Sequence, residues 1–592
     1  MNLEGYYKKV ISKLGYKSKR PYLDEIVIPT LSENWEEKNV FLVEAPTGYG
    51  KTSISLTASL YSLNEEMKTI VAFPQRSLLE NQYIKFERFF EEELLGKRYM
   101  HNPDSLYLLK PVTLTTVDTL SLTMLGIPPE DLSKVSRRHY AGGMTGSLGH
   151  YLFSAASIAL SNIVFDEAHL MADSTKSLNF LAILARFSIE CGRKLILMSA
   201  TMPESMKKAL MDYLRTWKKK LLLIEFSKDN PKTEGGYDCV KGWDEEFVRE
   251  RVEKNVKMSI KPLSLENKYI FLERWLSEKF KKDSQTRVIV VFNTVQDACN
   301  FYKFIEQSEW IKEVPKLLIH SRFIEADRKA KSREIEKLRG KDSYLIVATQ
   351  VVEVGVDISS NAMVTELAPA SSLIQRLGRF LRYEEKEGET LIWYESFEGG
   401  LAKNNGRYKV YARDLASATL SRLEKFKEKL SFHSPLDYGE KTGYLHFLNE
   451  IYVEFPIFID QSSTNEMFRI TVDLEGMSEK ALEQFLKFNG SFVREGFMVS
   501  LIPKKWATSL LNYQKKTIPV SYSIFKKLTK EGKIVQAIRR ENEELKCEDF
   551  GPRLFMEPLR HLRETVRNSI VAFVADIGYN GESGLQVGED DI

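Results

Sequence analysis

The stretch EAPTGYGKTS, Glu44–Ser53, decides how this chain is read. Val40–Val43 before it is an apolar run long enough for a buried strand, and Ser53–Leu60 after it reads as a helix with Leu56, Ala58 and Leu60 among its residues. In a strand–loop–helix context Gly48 and Gly50 let the backbone approach a phosphate, and the N–H groups at the helix start face the anion. Lys51 then reaches the β and γ phosphates and Thr52 is placed to ligand Mg2+. Thr47, Gly48, Gly50, Lys51 and Thr52 are therefore the expected nucleotide-binding residues. Ala45 stands where the commonest form of this loop has glycine, and a bare G-K-T triplet also reads as a glycine turn beside an exposed lysine, so its surroundings must decide.

A nucleoside triphosphatase also needs a carboxylate pair at the end of a neighbouring strand. Ile163–Phe165 runs directly into Asp166, Glu167, Ala168 and His169. Asp166 would hold the metal, and Glu167 would orient and deprotonate the attacking water. Alone, the tetrapeptide reads more readily as a helix start; with the cradle it makes a site. In Lys194–Pro203, KLILMSATMP, a strand ends in Ser199-Ala200-Thr201, whose hydroxyls are placed to link the γ phosphate to movement between domains. Ile70–Phe73 and Val112–Leu120 read as strands presenting Arg76, Thr115 and Thr116 to a nucleic-acid backbone, although each taken singly also fits a cap or turn.

A second parallel sheet is expected beyond a polar connection at 226–262. Ser264–Lys282 has helical amphipathicity, and Val288–Phe292 reads as a buried strand ending in Asn293. Leu317–Ile319 leads into His320 and Arg322, and Tyr344–Ala348 into Thr349, Gln350, Gly355 and Asp357. In Ser372–Arg382, SLIQRLGRFLR, a helix would set Gln375, Arg379 and Arg382 along one face. Two arginines there would reach across a cleft to the γ phosphate; a solvated basic face is the competing reading. From residue 431 onward no motif guides the reading, but Ser491–Ile502 alternates like a strand and Arg563–Ala575 reads as a helix. The expected fold is α/β: residues 1–225 and 263–430 as two tandem parallel-sheet domains, joined by 226–262, with 431–592 as a C-terminal accessory domain.

This ordered set resembles a superfamily 2 DEAH-box helicase, in which two RecA-like domains clasp ATP between them. The details TTVDTL, His320–Phe323 followed by Asp327 and Arg328, TQVVEVGVDIS and LAPASSLIQRLGR resemble the CRISPR-associated helicases of type I interference. The resemblance implies ATP-driven movement along single-stranded DNA in the 3′ to 5′ direction, recruited by a guide-RNA surveillance complex. It assigns Asn293, His320, Arg322, Thr349 and Gln350 to nucleic acid, Gly355 and Asp357 to the nucleotide, and His169, Ser199 and Thr201 to coupling. Two departures stand out. The adenine-reading motif has a Gln shortly after an aromatic, whereas here Tyr22 is followed by Leu23, so Tyr22 keeps a base-side assignment and relaxed nucleotide choice is expected. Fused members carry a nuclease built on His and Asp ligands; the eight histidines here are scattered and none precedes an Asp, so a separate HD-type nuclease subunit is expected to act in trans. The alternatives are a superfamily 2 helicase acting on RNA or in DNA repair, and a nucleic-acid-binding scaffold with a dead ATPase fold. Against the scaffold, Lys51, Asp166, Glu167, Arg379 and Arg382 are all in place.

Composition adds bounds. The net charge of +3 over 592 residues predicts no partner by itself, so any grip on nucleic acid is local. Four cysteines without C-x-x-C spacing fit a reducing, cytoplasmic setting. The most apolar long run, Ser147–Phe165, is interrupted by His150 and Asn162, and no membrane span is read there. The glycine-rich stretch 142–149 has no G-K-[ST] and reads as a loop.

Overall fold

A computed structural model describes residues 1–15, 20–99, 102, 104–129, 135, 149–229, 237–397, 400–402, 407–473, 477–541 and 544–587. The stretch 142–149 therefore lies outside the described residues in all but its last position.

The first sheet has eight strands: β1 (Val40–Glu44), β2 (Lys68–Phe73), β3 (Leu95–Arg98), β4 (Val112–Thr116), β5 (Ser161–Phe165), β6 (Leu195–Ser199), β7 (Leu221–Phe226) and β8 (Asp238–Gly242). Their spatial order is β3-β4-β2-β5-β6-β1-β7-β8, and every pairing is parallel. Such a sheet is covered on both faces, so its strands read as continuous apolar runs. Alternation still sorts the side chains. Val40 and Leu42 enter one core with Ile70, Ile163 and Leu195, while Phe41 and Val43 enter the opposite core with Val71, Val164 and Ile196. β1 lies between β6 and β7, so the loop after it opens at the carboxyl ends of the central strands, where open α/β sheets bind ligands.

The second sheet comprises β9 (Asn255–Leu263), β10 (Arg287–Val291), β11 (Lys316–Ile319), β12 (Tyr344–Ala348), β13 (Ala362–Glu366), β14 (Glu387–Phe397) and β15 (Gly400–Leu401). It runs β11-β12-β10-β13-β14-β15, with β9 also paired to β14. Only the β14–β15 pairing is antiparallel. The segment 226–262 is thus more than a tether: it supplies β8 to the first sheet, β9 to the second, and the helix Glu245–Val252 between them.

The C-terminal region builds a five-stranded sheet in the order Ile518–Ser521, Met498–Pro503, Ile570–Ala575, Ile534–Glu541, Glu544–Asp549. Here the reading of Arg563–Ala575 as one helix is corrected. The helix Pro558–Arg567 stops, the chain turns through Ser569 at φ 51°, and IVAFVA becomes the central strand of that sheet. The run is rich in β-branched residues and is buried toward its end, so burial against both neighbours wins over the helical spacing that precedes it. Helix Gln461–Val472 packs on Thr175–Glu190 of the first domain, and the apolar core of the C-terminal sheet is continuous with that domain's core.

Candidate nucleotide and nucleic-acid site

The loop after β1 holds Gly48 at φ 78° and Gly50 at φ 105°, conformations that glycine adopts without strain. The helix Lys51–Asn64 begins directly behind them, so its first N–H groups and its lysine point into the same space. The Lys51 ammonium sits 2.9 Å from Glu167 Oε1, and the Thr52 side chain is buried beside it in sequence. Asp166 and Glu167 follow β5, two strands away from β1, and Glu167 adopts φ 52°. Burial and the adjacent Glu167 charge push the Asp166 carboxyl up to about 7. Glu167 is raised by burial too, but Lys51 and His169 outweigh this and hold it below its ordinary value. Thr52 and Asp166, both buried, offer here the hard oxygen donors that suit a divalent cation.

A chain of polar contacts crosses from these carboxylates to the second domain. His169 Nδ1 lies 3.0 Å from Ser199 Oγ, and the same hydroxyl accepts from the Thr201 N–H at 3.0 Å. On the far side Gln375 Nε2 lies 3.3 Å from His169 Nε2 and 3.5 Å from Thr201 Oγ1. Burial lowers the His169 pKa to about 4, so the ring is neutral and bonds through a tautomer fixed by its neighbours. Gln375 and the DEAH and SAT segments are therefore brought together.

The single helical face expected for Gln375, Arg379 and Arg382 is not formed. The helix ends at Leu377, Gly378 follows, and Leu381 turns at φ 47°. The two arginines leave from this turn instead. Arg379 Nε and Nη2 donate to the carbonyls of Val352 and Glu353, and burial beside Arg382 lowers its pKa to about 9. Arg382 Nε meets Asp357 Oδ1 at 3.2 Å. A cavity of about 170 Å³ is lined by Thr47 and Gly48 on one side and Asp357, Gly378 and Arg382 on the other. Gly355, at φ 85°, brings the second domain against the backbone of Ser77 and Leu78: a Cβ there would lie 2.7 Å from Leu78 N. Arg376, which motif reading passed over, is fully buried and donates to Glu353, Asn293, Tyr411 and the Glu366 carbonyl, so it holds the strand ends together. Its place inside the SLIQRLGRFLR run was the available signal.

Several assignments are corrected by burial. Tyr22 is fully enclosed, with its hydroxyl on the Glu44 carbonyl and its N–H on the Tyr49 hydroxyl, so it supports the loop from behind and offers no face to a base. Thr115 is fully buried and donates to the Arg98 carbonyl, and Thr116 Oγ1 donates to Thr119 Oγ1. Asn293 is spent on Glu366, Leu367 and Arg376. His320 and Arg322 lie beneath the hairpin Tyr579–Leu585: His320 Nε2 meets the Ser583 carbonyl at 3.2 Å, and Leu585 N–H donates to the Arg322 carbonyl at 3.0 Å. Thr349 is buried, whereas Gln350 is half-exposed and donates to the Asn293 carbonyl. Arg76 stacks on Tyr99 and pairs with Glu325 of the second domain at 3.3 Å. Of the nucleic-acid set, Arg76 and Gln350 alone keep substantial exposure, and both already join elements across the structure.

Residues 23–209 match the family described as DEAD/DEAH box helicase, and residues 284–385 the one described as CRISPR-associated nuclease/helicase Cas3, C-terminal. The chain is 28% identical over 410 residues to the CRISPR-associated helicase Cas3 of Thermoproteus tenax, covering 65% of this chain and 59% of that protein. It is 24% identical over 455 residues to the CRISPR-associated nuclease/helicase Cas3 of Methanothermobacter thermautotrophicus, covering 73% and 47%. The chain spans about half the length of the curated relatives it matches. Among solved structures it resembles the T. fusca Cas3-ATP crystal structure, with TM-score 0.60, 18% identity, and coverage of 86% of this chain and 65% of that one. At that identity the likeness is one of fold. The resemblance to CRISPR-associated helicases and the two RecA-like parallel-sheet domains are both borne out. Among the described residues, no helix is long and apolar enough to cross a membrane.

Proposed function

We propose that the chain is an ATP-dependent helicase or translocase of type I CRISPR interference that moves 3′ to 5′ on single-stranded DNA. It would work in the cytoplasm with a guide-RNA surveillance complex and hand the strand to a separate HD-type nuclease subunit. The observation that carries this reading is the continuous polar path from Lys51 and Glu167 through His169, Ser199 and Thr201 to Gln375, because it joins a triphosphate cradle to the opposite domain.

The chemistry follows from that path. Lys51 and Glu167 neutralise each other in the cradle. An incoming triphosphate competes for the ammonium; as Lys51 turns to the β and γ phosphates, Glu167 loses its counter-charge and becomes basic enough to take a proton from water. Mg2+, held by Thr52 and Asp166, would screen the phosphate charge. Arg379 and Arg382 come from the other domain, so they complete the site only when the domains meet, and loss of the γ phosphate releases what holds them there.

The experiment is ATP hydrolysis by the purified chain alone and with single-stranded DNA or single-stranded RNA, followed by unwinding of duplexes tailed at the 3′ or the 5′ end. DNA-stimulated hydrolysis with unwinding from 3′ tails is expected. Stimulation by RNA alone would move the reading to an RNA helicase, and absence of hydrolysis would leave a scaffold. Labelled DNA incubated with the chain and Mg2+, Mn2+ or Ni2+ is expected to stay intact; its degradation would overturn the separate nuclease.

A further inference from the structure

The helix Glu245–Val252, between the two sheets, is fastened at one end to the phosphate loop. Asp244 caps it by accepting from the Phe247 N–H at 2.9 Å, and its other oxygen accepts from the Tyr49 hydroxyl at 2.6 Å. The Phe247 ring meets the Tyr49 ring edge-on at 4.9 Å. The opposite end is fastened to the arginine turn. Arg251 Nη1 donates to the Arg382 carbonyl at 3.2 Å, and Lys254 Nζ donates to the carbonyls of Tyr383 and Glu385 at 2.9 and 3.0 Å.

This anchoring aims a guanidinium at the cradle. Arg251 lines the same cavity as Gly48, Asp357 and Arg382, and its Nη2 is 3.8 Å from where a Cβ on Gly48 would stand. Arg20 Nη1 donates to the Gly48 carbonyl at 2.9 Å. Arg20 and Arg251 thus both approach Gly48, Arg382 lines the same cavity as Arg251, and among the described residues Asp357 is the one carboxylate lining it. Burial and the neighbouring arginines disfavour the Arg251 charge. Such a gathering is costly unless an anion shares it. Strand order says which part of the ligand that is. The terminal phosphate belongs near Lys51 and Glu167, on the β5 side of β1, whereas Arg251 follows β8 on the other side.

We propose that Arg251 is a nucleotide-binding residue that contacts the α-phosphate and sugar end of the bound triphosphate from the connection between the domains. This rests on the triphosphatase reading above. Arg251 thereby reports occupancy to both the Tyr49 loop and the Arg382 turn, a role no motif marks.

The test measures dissociation constants of ATP and ADP for the intact chain, Arg251→Ala and Arg251→Lys, with the melting temperature of the free proteins alongside. Losing one charge-assisted contact is expected to weaken both nucleotides by about tenfold or more. Arg251→Lys should recover part of the affinity, and added guanidinium should recover part of it in Arg251→Ala, which a packing defect would not allow. Wild-type affinity in Arg251→Ala overturns the assignment, as does a loss that neither lysine nor guanidinium restores. Failure of the unaltered chain to bind ATP would instead overturn the reading of the site itself.

Discussion

Glu167 carries a large burden for one residue: it is half-buried, holds φ 52°, pairs with Lys51 and sits 3.5 Å from His169 Nδ1. A non-glycine residue in that left-handed region costs of order 1–3 kcal/mol and persists where the surroundings over-determine it. Here the Lys51 pair and the Glu167 N–H on Asp166 Oδ1 at 2.9 Å do so. The carboxylate is therefore pre-aimed, and the side chain's value lies in accepting a proton. Glu167→Gln keeps shape and hydrogen bonding but not basicity. Its turnover is expected to fall by about 10²–10⁴ while ATP binding, measured by equilibrium titration, is retained. Unchanged turnover would remove Glu167 from the role of base.

At the scale of elements, one contact between the two sheet domains runs through a glycine. Gly355 packs its Cα face against Ser77 and Leu78, and Ser77 Oγ donates to the Val354 carbonyl at 3.4 Å. Gly355→Ala would place a methyl 2.7 Å from Leu78 N at a φ of 85°, so the strands would stay intact while the domains could not meet. Hydrolysis is expected to drop at least tenfold with the circular dichroism spectrum unchanged; retained activity would show that this contact is not needed for closure. The strands that bring these pieces together are legible in the sequence, because each is a short apolar run ending in polar residues, as at Val40–Glu44 or Tyr344–Ala348. The arginine turn is not, since the three- and four-residue spacing of Gln375, Arg379 and Arg382 continues past Gly378 while the backbone does not. Nor is the end of the last helix, where only Asn568 and Ser569 separate it from IVAFVA. The burial of His320 and Arg322 depends on a hairpin about 260 residues away, which no local pattern reveals.

Taken whole, the molecule is braced across its cleft by the C-terminal region. Lys176 Nζ donates to the Phe488 carbonyl at 2.7 Å and Arg494 grips Asp118 at 2.6 Å, which ties that region to the first domain. The hairpin over His320 ties it to the second, where Lys331 Nζ donates to the Glu582 carbonyl at 3.1 Å. Histidines are buried in this outer frame. His320 donates from Nε2 to Ser583 and accepts the Arg322 N–H at Nδ1, which fixes a neutral ring, and burial lowers it to about 3. His433 Nε2 donates to the Phe380 carbonyl at 2.7 Å and the ring is lowered by burial to about 3, and His561, among Phe497, Phe525 and Phe573, to about 4. Below the unfolded value near 6.5 the unfolded chain binds protons that these folded sites refuse, so stability is complete above that pH and declines as pH falls from 6.5 toward 3–4. Each group withdraws roughly 2 kcal/mol by pH 5. The melting temperature is therefore expected to fall between pH 7 and pH 5, and His561→Leu, which removes one such ring from an apolar cluster, is expected to shrink that fall. Calorimetric scans of both proteins at the two pH values decide it: an identical fall in the variant would mean that His561 takes up its proton in the folded state and that acid acts elsewhere.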